Sequence, residues 1–142
     1  MPPQVTMLLC DAAQAVGNKL YILGGGWSIT GPTPVPMAIA LKLEVPWDRT
    51  NVKHSLLLEL LDEDGEPVMV PGPGEEEVPL QVTGDFEAGR PPGIKPGTPI
   101  DSALAVNFGP LPLQTGRRYQ WRLSIDGETD QDWTLGFSTR RP

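Results

Sequence analysis

The stretch Met37-Ala-Ile-Ala-Leu-Lys-Leu-Glu-Val45 alternates large apolar residues with small or charged ones. A period of two puts the large apolar side chains on one face of an extended chain, which predicts a half-buried strand. The same alternation returns from Tyr119 to Ile125 and again from Trp133 to Phe137. Between these two runs, the pair Asp126-Gly127 is typical of a tight hairpin turn. We therefore predict that the last two runs pair antiparallel.

Further strands are predicted wherever a short apolar run is bounded by Gly, Pro, Asn or Asp. They are Val5–Cys10, Leu20–Leu23, Ser55–Leu61, Val78–Thr83 and Ala103–Phe108. Within the third of these, residues 56–61 are apolar on both faces apart from Glu59, which favours a central position in a sheet.

The segments between strands contain most of the 17 prolines. Because proline has no amide hydrogen for a sheet ladder, we predict loops at Pro71–Glu77 and Gly89–Pro99. The best helix candidate is Asp11–Gly17, in which Asp11 caps a turn and Gly17 ends it.

A chain of 142 residues with 39% hydrophobic content is long enough for one core, so we expect a single domain over residues 1–142. The pattern predicts an all-β protein, an immunoglobulin-like or fibronectin-like antiparallel sandwich. We expect about 7–9 strands, the number the pattern supplies, and at most one short helical turn.

The charge balance is 11 basic against 18 acidic residues, a net charge of −7. This acidity argues against nucleic acid and anionic membranes as partners. The sequence has no basic region before its first apolar run and no long apolar segment, so neither a signal peptide nor a membrane span is predicted. Its single cysteine, Cys10, is interpreted as a buried hydrophobe, and we expect a reducing, cytoplasmic setting.

The sequence contains no constellation that commits to a reaction. Its one histidine, His54, is in phase with Leu56, Leu58 and Leu60 and is interpreted as structural. Residues 24–26 are all glycine but lack the lysine and helix of a phosphate loop, so they indicate a bulge or bend. We assign no catalytic residue, no metal ligand and no cofactor, and we do not expect an enzyme.

Tryptophan supplies the candidate binding residues. Trp121 and Trp133 are in phase with strand cores and are interpreted as packing residues. Trp27, which follows three glycines, and the polar turn Trp47-Asp48-Arg49 are instead candidates for binding a partner or ligand, because tryptophan beside arginine is typical of interface hot spots. The alternative for Trp47 is that it folds back over one end of the sandwich.

Several stretches resemble a family of small bacterial proteins classed only as a domain of unknown function. They are residues 5–14, 19–27, 44–49, 56–65 and 116–127, with Phe137 beyond them. The resemblance implies a bacterial, single-domain, non-secreted protein. It implies no activity, substrate or catalytic residue.

The favoured hypothesis is a non-catalytic protein-interaction or structural module with an unidentified protein partner. The alternative is a small-ligand module that binds a glycan or calcium in its end loops, since carboxylates cluster at residues 62–64, 75–77 and 126–132. An enzyme that uses carboxylates alone, such as Asp62 and Asp64, is the third hypothesis. Monomer and homodimer remain equally open.

Overall fold

The computed structural model describes residues 2–142, which form eleven strands and one 3-10 turn and contain no α-helix. The 3-10 turn is Trp47–Arg49. The strands are β1 (Gln4–Val16), β2 (Lys19–Gly25), β3 (Ile29–Thr30), β4 (Met37–Val45), β5 (His54–Asp62), β6 (Met69–Pro71), β7 (Glu77–Pro79), β8 (Gln81–Phe86), β9 (Ile100–Phe108), β10 (Arg118–Ile125) and β11 (Glu128–Thr139).

The strands of residues 2–142 are arranged in three sheets, which confirms the all-β prediction. Sheet A has the order β2-β1-β4-β9 and curls into a half-barrel. Sheet B has the order β3-β11-β10-β5-β8, and β6 pairs with β7 in a separate ribbon. The described pairings are antiparallel apart from the short parallel pairing of β3 with β11.

The predicted strands are all present, with two corrections. The described residues contain more strands than the expected 7–9, because β3, β6 and β7 are only two or three residues long and leave little periodic signal. The predicted strand Val78–Thr83 is interrupted at Leu80, which divides it between β7 and β8. The predicted loop Pro71–Glu77 is shorter than expected, because Pro71 ends β6 and Glu77 begins β7. Residues 89–99 lie outside strands and helices.

The predicted helix at Asp11–Gly17 is wrong. Residues 11–16 continue β1 and pair with β2, from Ala12 opposite Leu23 to Val16 opposite Lys19. Gly17 and Asn18 both have φ near +58°, the backbone of a two-residue hairpin turn. The alanine-rich composition favours a helix locally, but pairing with a neighbouring strand overrides that weak preference.

Apolar side chains from both large sheets form one core. Leu41 and Leu43 of sheet A and Leu58, Leu60 and Leu123 of sheet B are fully buried there. Across the two sheets, the rings of Phe108 and Trp121 stack with centroids 4.8 Å apart. Trp121 and Trp133 are both buried, which confirms their prediction as packing residues.

The hairpin formed by β1 and β2 folds against the edge of β9. Asn18 at its tip donates from Nδ2 to the carbonyl of Asp101 and accepts the amide hydrogen of Ala103, both at 2.8 Å. Asn107 of β9 makes the same two-way contact with the backbone of Ala13, at 2.8 and 3.2 Å. Side-chain amides therefore satisfy backbone groups of both elements and fix the hairpin in place.

Candidate functional site

The turn at residues 46–50 holds Trp47 in an intramolecular stack. Trp47 is partly buried and packs against the core, and the guanidinium carbon of Arg90 lies 3.9 Å from the centre of its ring. Arg90 is itself fixed, because Nε donates to Thr50 Oγ1 at 2.6 Å and Nη2 donates to the carbonyl of Trp47 at 2.7 Å. The indole thus packs inward and one of its faces is covered by a cation from the 89–99 loop.

Arg49 is directed away from Trp47, towards Asp126. Its Nη2 lies 3.4 Å from Asp126 Oδ2, at the turn between β10 and β11. The arginine that stacks on Trp47 is thus Arg90, a residue 43 positions further along the chain, and not its neighbour Arg49. Asp48, which lies between Trp47 and Arg49 in the sequence, is exposed.

Asp126 joins the end of β10 to the start of β5. Its Oδ1 accepts the amide hydrogen of Ser55 at 2.9 Å, and its Oδ2 lies 2.7 Å from His54 Nδ1. The other ring nitrogen of His54 lies 2.8 Å from the carbonyl of Arg49, so a ring protonated at both nitrogens donates to both oxygens. His54 is buried and stacked on Phe86, which confirms its placement in phase with the leucines of β5.

The pKa of Asp126 is lowered from its ordinary value. The hydrogen bond from His54 is the main cause, followed by the amide of Ser55, and the positive charges of His54 and Arg49 act in the same direction. Since each of these contacts stabilises the carboxylate form, Asp126 is a structural anion that fixes three chain segments. Sequence reasoning placed Asp126 in the hairpin turn but did not predict its contact with His54.

Trp27 lies at the opposite end of sheet B. Its ring meets Phe137 edge-on with centroids 6.2 Å apart, and Phe137 is paired with Tyr119 at the start of β10. Asp126 directly follows the end of that same strand, whose eight residues span about 25 Å. The structure therefore does not bring Trp27 together with Trp47, Asp48 and Arg49.

Two of the carboxylate clusters contain aspartates that bond to nearby backbone amides. Oδ1 of Asp62 accepts the amide hydrogens of Asp64 and Glu66, both at 2.9 Å, and Asp130 accepts that of Asp132. Across residues 2–142, no three His, Cys, Asp or Glu side chains converge into a group that could hold a metal ion. The structure therefore adds no support to the calcium hypothesis.

Cys10 is buried beneath the hairpin. Its Sγ lies 3.5 Å from the carbonyl of Ala38, and burial is the main cause that raises the pKa of the thiol. A raised pKa disfavours the nucleophilic thiolate, which agrees with the interpretation of Cys10 as a small buried hydrophobe.

The outward face of the β1–β2 hairpin is unusually apolar for a surface. Val16, Tyr21 and Leu23 are 55%, 57% and 71% exposed. Tyr21 lies opposite Gln14 and Leu23 opposite Ala12, so their side chains lie on one face. Together with Asn107, residues of this hairpin line an open groove of about 560 Å³.

Within residues 2–142, β2 pairs with β1 alone and forms one edge of sheet A. Edge strands are usually protected by charge, proline or a bulge. In β2, the sole charged residue is Lys19, and the next four residues are Leu20-Tyr-Ile-Leu23. Sequence reasoning identified this strand but missed its exposure. The available signal was the run of four apolar residues at 20–23, which does not alternate with polar residues.

The comparisons with known proteins give a family and no activity. The model of a family of unknown function, DUF6941, matches residues 5–137. The chain belongs to this family. The comparison with curated proteins found no match.

The stretch matched to DUF6941 includes the β1–β2 hairpin from Val5 onward, the 3-10 turn and Asp126. The suspected resemblance to a domain of unknown function is thereby confirmed. In the part of the chain that the structure describes, no helix is both long and apolar enough to cross a membrane.

Proposed function

We propose that this chain is a non-catalytic interaction module that binds a protein partner through the hairpin surface, defined as the edge of β2 with the outward side chains Val16, Tyr21 and Leu23. The observation that carries the proposal is the exposure of Tyr21 and Leu23 on the edge strand β2, beside exposed Val16 at the end of β1. A strand edge binds another chain through backbone hydrogen bonds, and neighbouring side chains supply specificity.

The predicted loop tryptophans contribute less to this proposal. Trp47 is already stacked with Arg90, and Arg49 is engaged with Asp126, so a partner would have to displace internal contacts to use either. Trp27 packs on Phe137 at the far end of sheet B. The proposal therefore moves the binding surface from these residues to the hairpin surface.

An immunoglobulin-like or fibronectin-like sandwich is part of the proposal. The support is the strand order, in which β4 and β5 are consecutive but lie in different sheets, and β9 and β10 repeat this crossing. β9 returns to pair with β4, and β10 returns to pair with β5, as in Greek-key sandwiches. Many sandwich domains are binding modules, but fold alone does not determine function.

A bacterial, cytoplasmic origin belongs to the same proposal. Support for the cytoplasmic setting comes from a single cysteine that is buried and unpaired in the described chain. Support for the bacterial origin is limited to the family resemblance of the sequence.

The alternative, a glycan bound in the end loops, has weaker support. An open cleft of about 710 Å³ lies at the Trp27 end of sheet B and is lined in part by Tyr119 and Phe137. These rings are only 7% and 3% exposed, so they offer little surface on which a sugar could stack.

The experiment is a comparative affinity capture. The chain, the double variant Tyr21→Ser, Leu23→Ser and the matched control Val52→Ser, Met69→Ser are each used as bait in a cell lysate. The control residues are similarly exposed, at 52% and 44%, but lie outside the hairpin. Since surface substitutions usually change stability by less than about 0.5 kcal/mol, all three baits should remain folded, which thermal unfolding verifies.

We expect the unaltered chain and the control to retain the same protein, and the hairpin variant to lose it. Retention of identical proteins by all three baits would contradict a binding role for the hairpin surface. Capture of nothing by any bait would also count against the proposal.

A further inference from the structure

Both ring nitrogens of His54 face hydrogen-bond acceptors. Nδ1 lies 2.7 Å from Asp126 Oδ2, and Nε2 lies 2.8 Å from the carbonyl oxygen of Arg49. A carboxylate and a carbonyl have no hydrogen to donate, so each contact needs a proton on the ring. A ring with both protons makes two hydrogen bonds, whereas a neutral ring carries one proton and makes only one.

The burial of His54 gives this difference weight. Its side chain is only 5% exposed, and the ring stacks on Phe86 with centroids 5.2 Å apart. Water therefore has little access to the ring and does not readily replace a hydrogen bond that is lost. A buried polar atom without a partner is costly, so the two protonation states of His54 differ in how well they fit the folded chain.

We propose that His54 is a pH-sensitive switch that holds the turn at residues 46–50 against β5 when the ring is protonated and releases this turn when the ring is neutral. A hydrogen bond to a carboxylate is stronger than one to an uncharged carbonyl, so the proton of the neutral ring stays on Nδ1. Nε2 then presents a lone pair to the carbonyl oxygen of Arg49, and the two acceptors repel each other. The switch does not depend on what the hairpin surface binds.

Asp126 and Arg49 are the charged residues in contact with the switch. The lowered pKa of Asp126 keeps its carboxyl ionised over the range in which histidines usually change charge, about pH 5–8. This carboxylate attracts the protonated ring, and the guanidinium of Arg49, 3.4 Å from the same oxygen, opposes that attraction. The charged residues next to these segments in the sequence are exposed, where solvent weakens their influence: Asp48, Lys53, Asp85 and Glu87.

The carbonyl of Arg49 connects the switch to the rest of the turn. Arg49 is the last residue of the 3-10 turn, and its amide donates to the carbonyl of Pro46 at 2.9 Å. Two residues later, the amide of Asn51 donates to the carbonyl of Ala88 at 2.8 Å. Trp47 begins the same 3-10 turn, so release of the Arg49 carbonyl also loosens the contact of the indole with the 89–99 loop.

The test is nuclear magnetic resonance of the intact chain from about pH 5 to 8. His54 is the only histidine in the sequence, so the signals of its ring nitrogens report its protonation without ambiguity. Amide exchange at Arg49 and Asn51, expressed as protection relative to an unstructured chain at the same pH, reports the state of the turn. Amides of Leu58 and Leu60 in β5 are the internal reference.

We expect the protection of the Arg49 and Asn51 amides to fall about tenfold as pH rises, because the net strength of one hydrogen bond corresponds to a factor of that order. The midpoint of this fall should coincide with the loss of the ring proton from His54, and protection in β5 should not change.

Two variants test the role of the carboxylate. Asp126→Asn puts a neutral group beside the ring, which stabilises the protonated form less, so both midpoints should move to lower pH. The control Asp132→Asn makes the same change of charge at an exposed position and should leave both midpoints in place.

Equal protection of the turn at both ends of the pH range, or midpoints that differ between the ring and the turn, would overturn the switch. His54→Phe keeps a ring beside Phe86 but has no ring nitrogen, so a fall in protection that persists in this variant would overturn it as well. If His54→Phe does not fold, the comparison of Asp126→Asn with Asp132→Asn decides, since midpoints that stay in place in both would contradict the proposal.

Discussion

Asp126 is the residue on which one end of the molecule depends. Its φ of +52° belongs to a left-handed turn, which asparagine adopts as readily as aspartate. The change Asp126→Asn therefore keeps the turn and removes the charge that receives hydrogen bonds from His54 and Ser55. Because the carboxylate is partly exposed, the expected loss at neutral pH is about 1 kcal/mol.

The pH dependence of this effect has a definite sign. The pKa of Asp126 in the folded chain is lowered from 3.8, so its carboxylate stabilises the fold above that pH. The contribution disappears as pH falls through the lowered pKa. Urea unfolding from pH 7 down to pH 3 should show the stabilities of the unaltered chain and Asp126→Asn converging in acid. A constant difference, or the same behaviour in the control Asp132→Asn, would contradict this.

Arg90 provides a second residue-scale prediction. Replacing Arg90 with alanine removes the cation over Trp47 and the hydrogen bonds to Thr50 and the Trp47 carbonyl. We expect a loss of about 1–2 kcal/mol in the free energy of unfolding, since an exposed cation–π contact and two hydrogen bonds are lost together. Lys95→Ala in the same loop is the control and should have little effect. Equal stability of the two variants would show that the stack contributes nothing.

The sequence predicted the burial of single residues correctly where burial follows the strand periodicity. It did not predict side-chain contacts between residues that are far apart in the chain. His54, Trp121 and Trp133 were placed correctly because each is in phase with a strand core. The contact of Trp47 with Arg90 joins two irregular segments, and no local pattern encodes which arginine reaches the ring. The same limit hid the contact of Asp126 with His54, which are 72 positions apart.

At the scale of elements, the β1–β2 hairpin is the part that sequence reasoning misjudged most. The Ala-rich residues 11–16 favour a helix, whereas the pair Gly17-Asn18 favours a tight hairpin turn, and the second signal decides. The turn is supported by tertiary contacts, because Asn18 bonds to the backbone of β9. The helix propensity of residues 11–16 is weak, whereas their pairing with β2 also covers the buried cluster around Cys10 and Ala38. The strand pairing therefore decides.

Asn18 allows the turn and the docking of the hairpin to be separated. Asn18→Gly keeps the left-handed backbone but removes both hydrogen bonds, and we expect it to cost about 1–2 kcal/mol. Asn18→Ala removes the bonds and also strains the turn, so it should cost roughly 1 kcal/mol more. Urea unfolding of both variants checks the order. If Asn18→Gly is as stable as the unaltered chain, the contacts with β9 do not hold the hairpin.

At the scale of the whole molecule, the described chain combines a well-packed interior with one apolar sheet edge. Large apolar side chains of both sheets are buried in the core. Tyr21 and Leu23 are exceptions, because they remain exposed on the hairpin. A chain of net charge −7 is protected from general aggregation, which allows one apolar edge to act as a specific surface. We therefore assign stability to the two large sheets and binding to the hairpin surface.

The most direct test of this assignment is amide hydrogen exchange of the intact chain, measured residue by residue with and without the protein that the affinity capture retains. If this protein binds the hairpin surface through the edge of β2, exchange in residues 19–25 should slow in its presence, because backbone amides at the edge gain hydrogen-bond acceptors. Exchange in β8, the far edge of sheet B, should not change. Equal exchange in residues 19–25 with and without the retained protein, or slowing confined to another edge, would contradict a binding role for the hairpin surface.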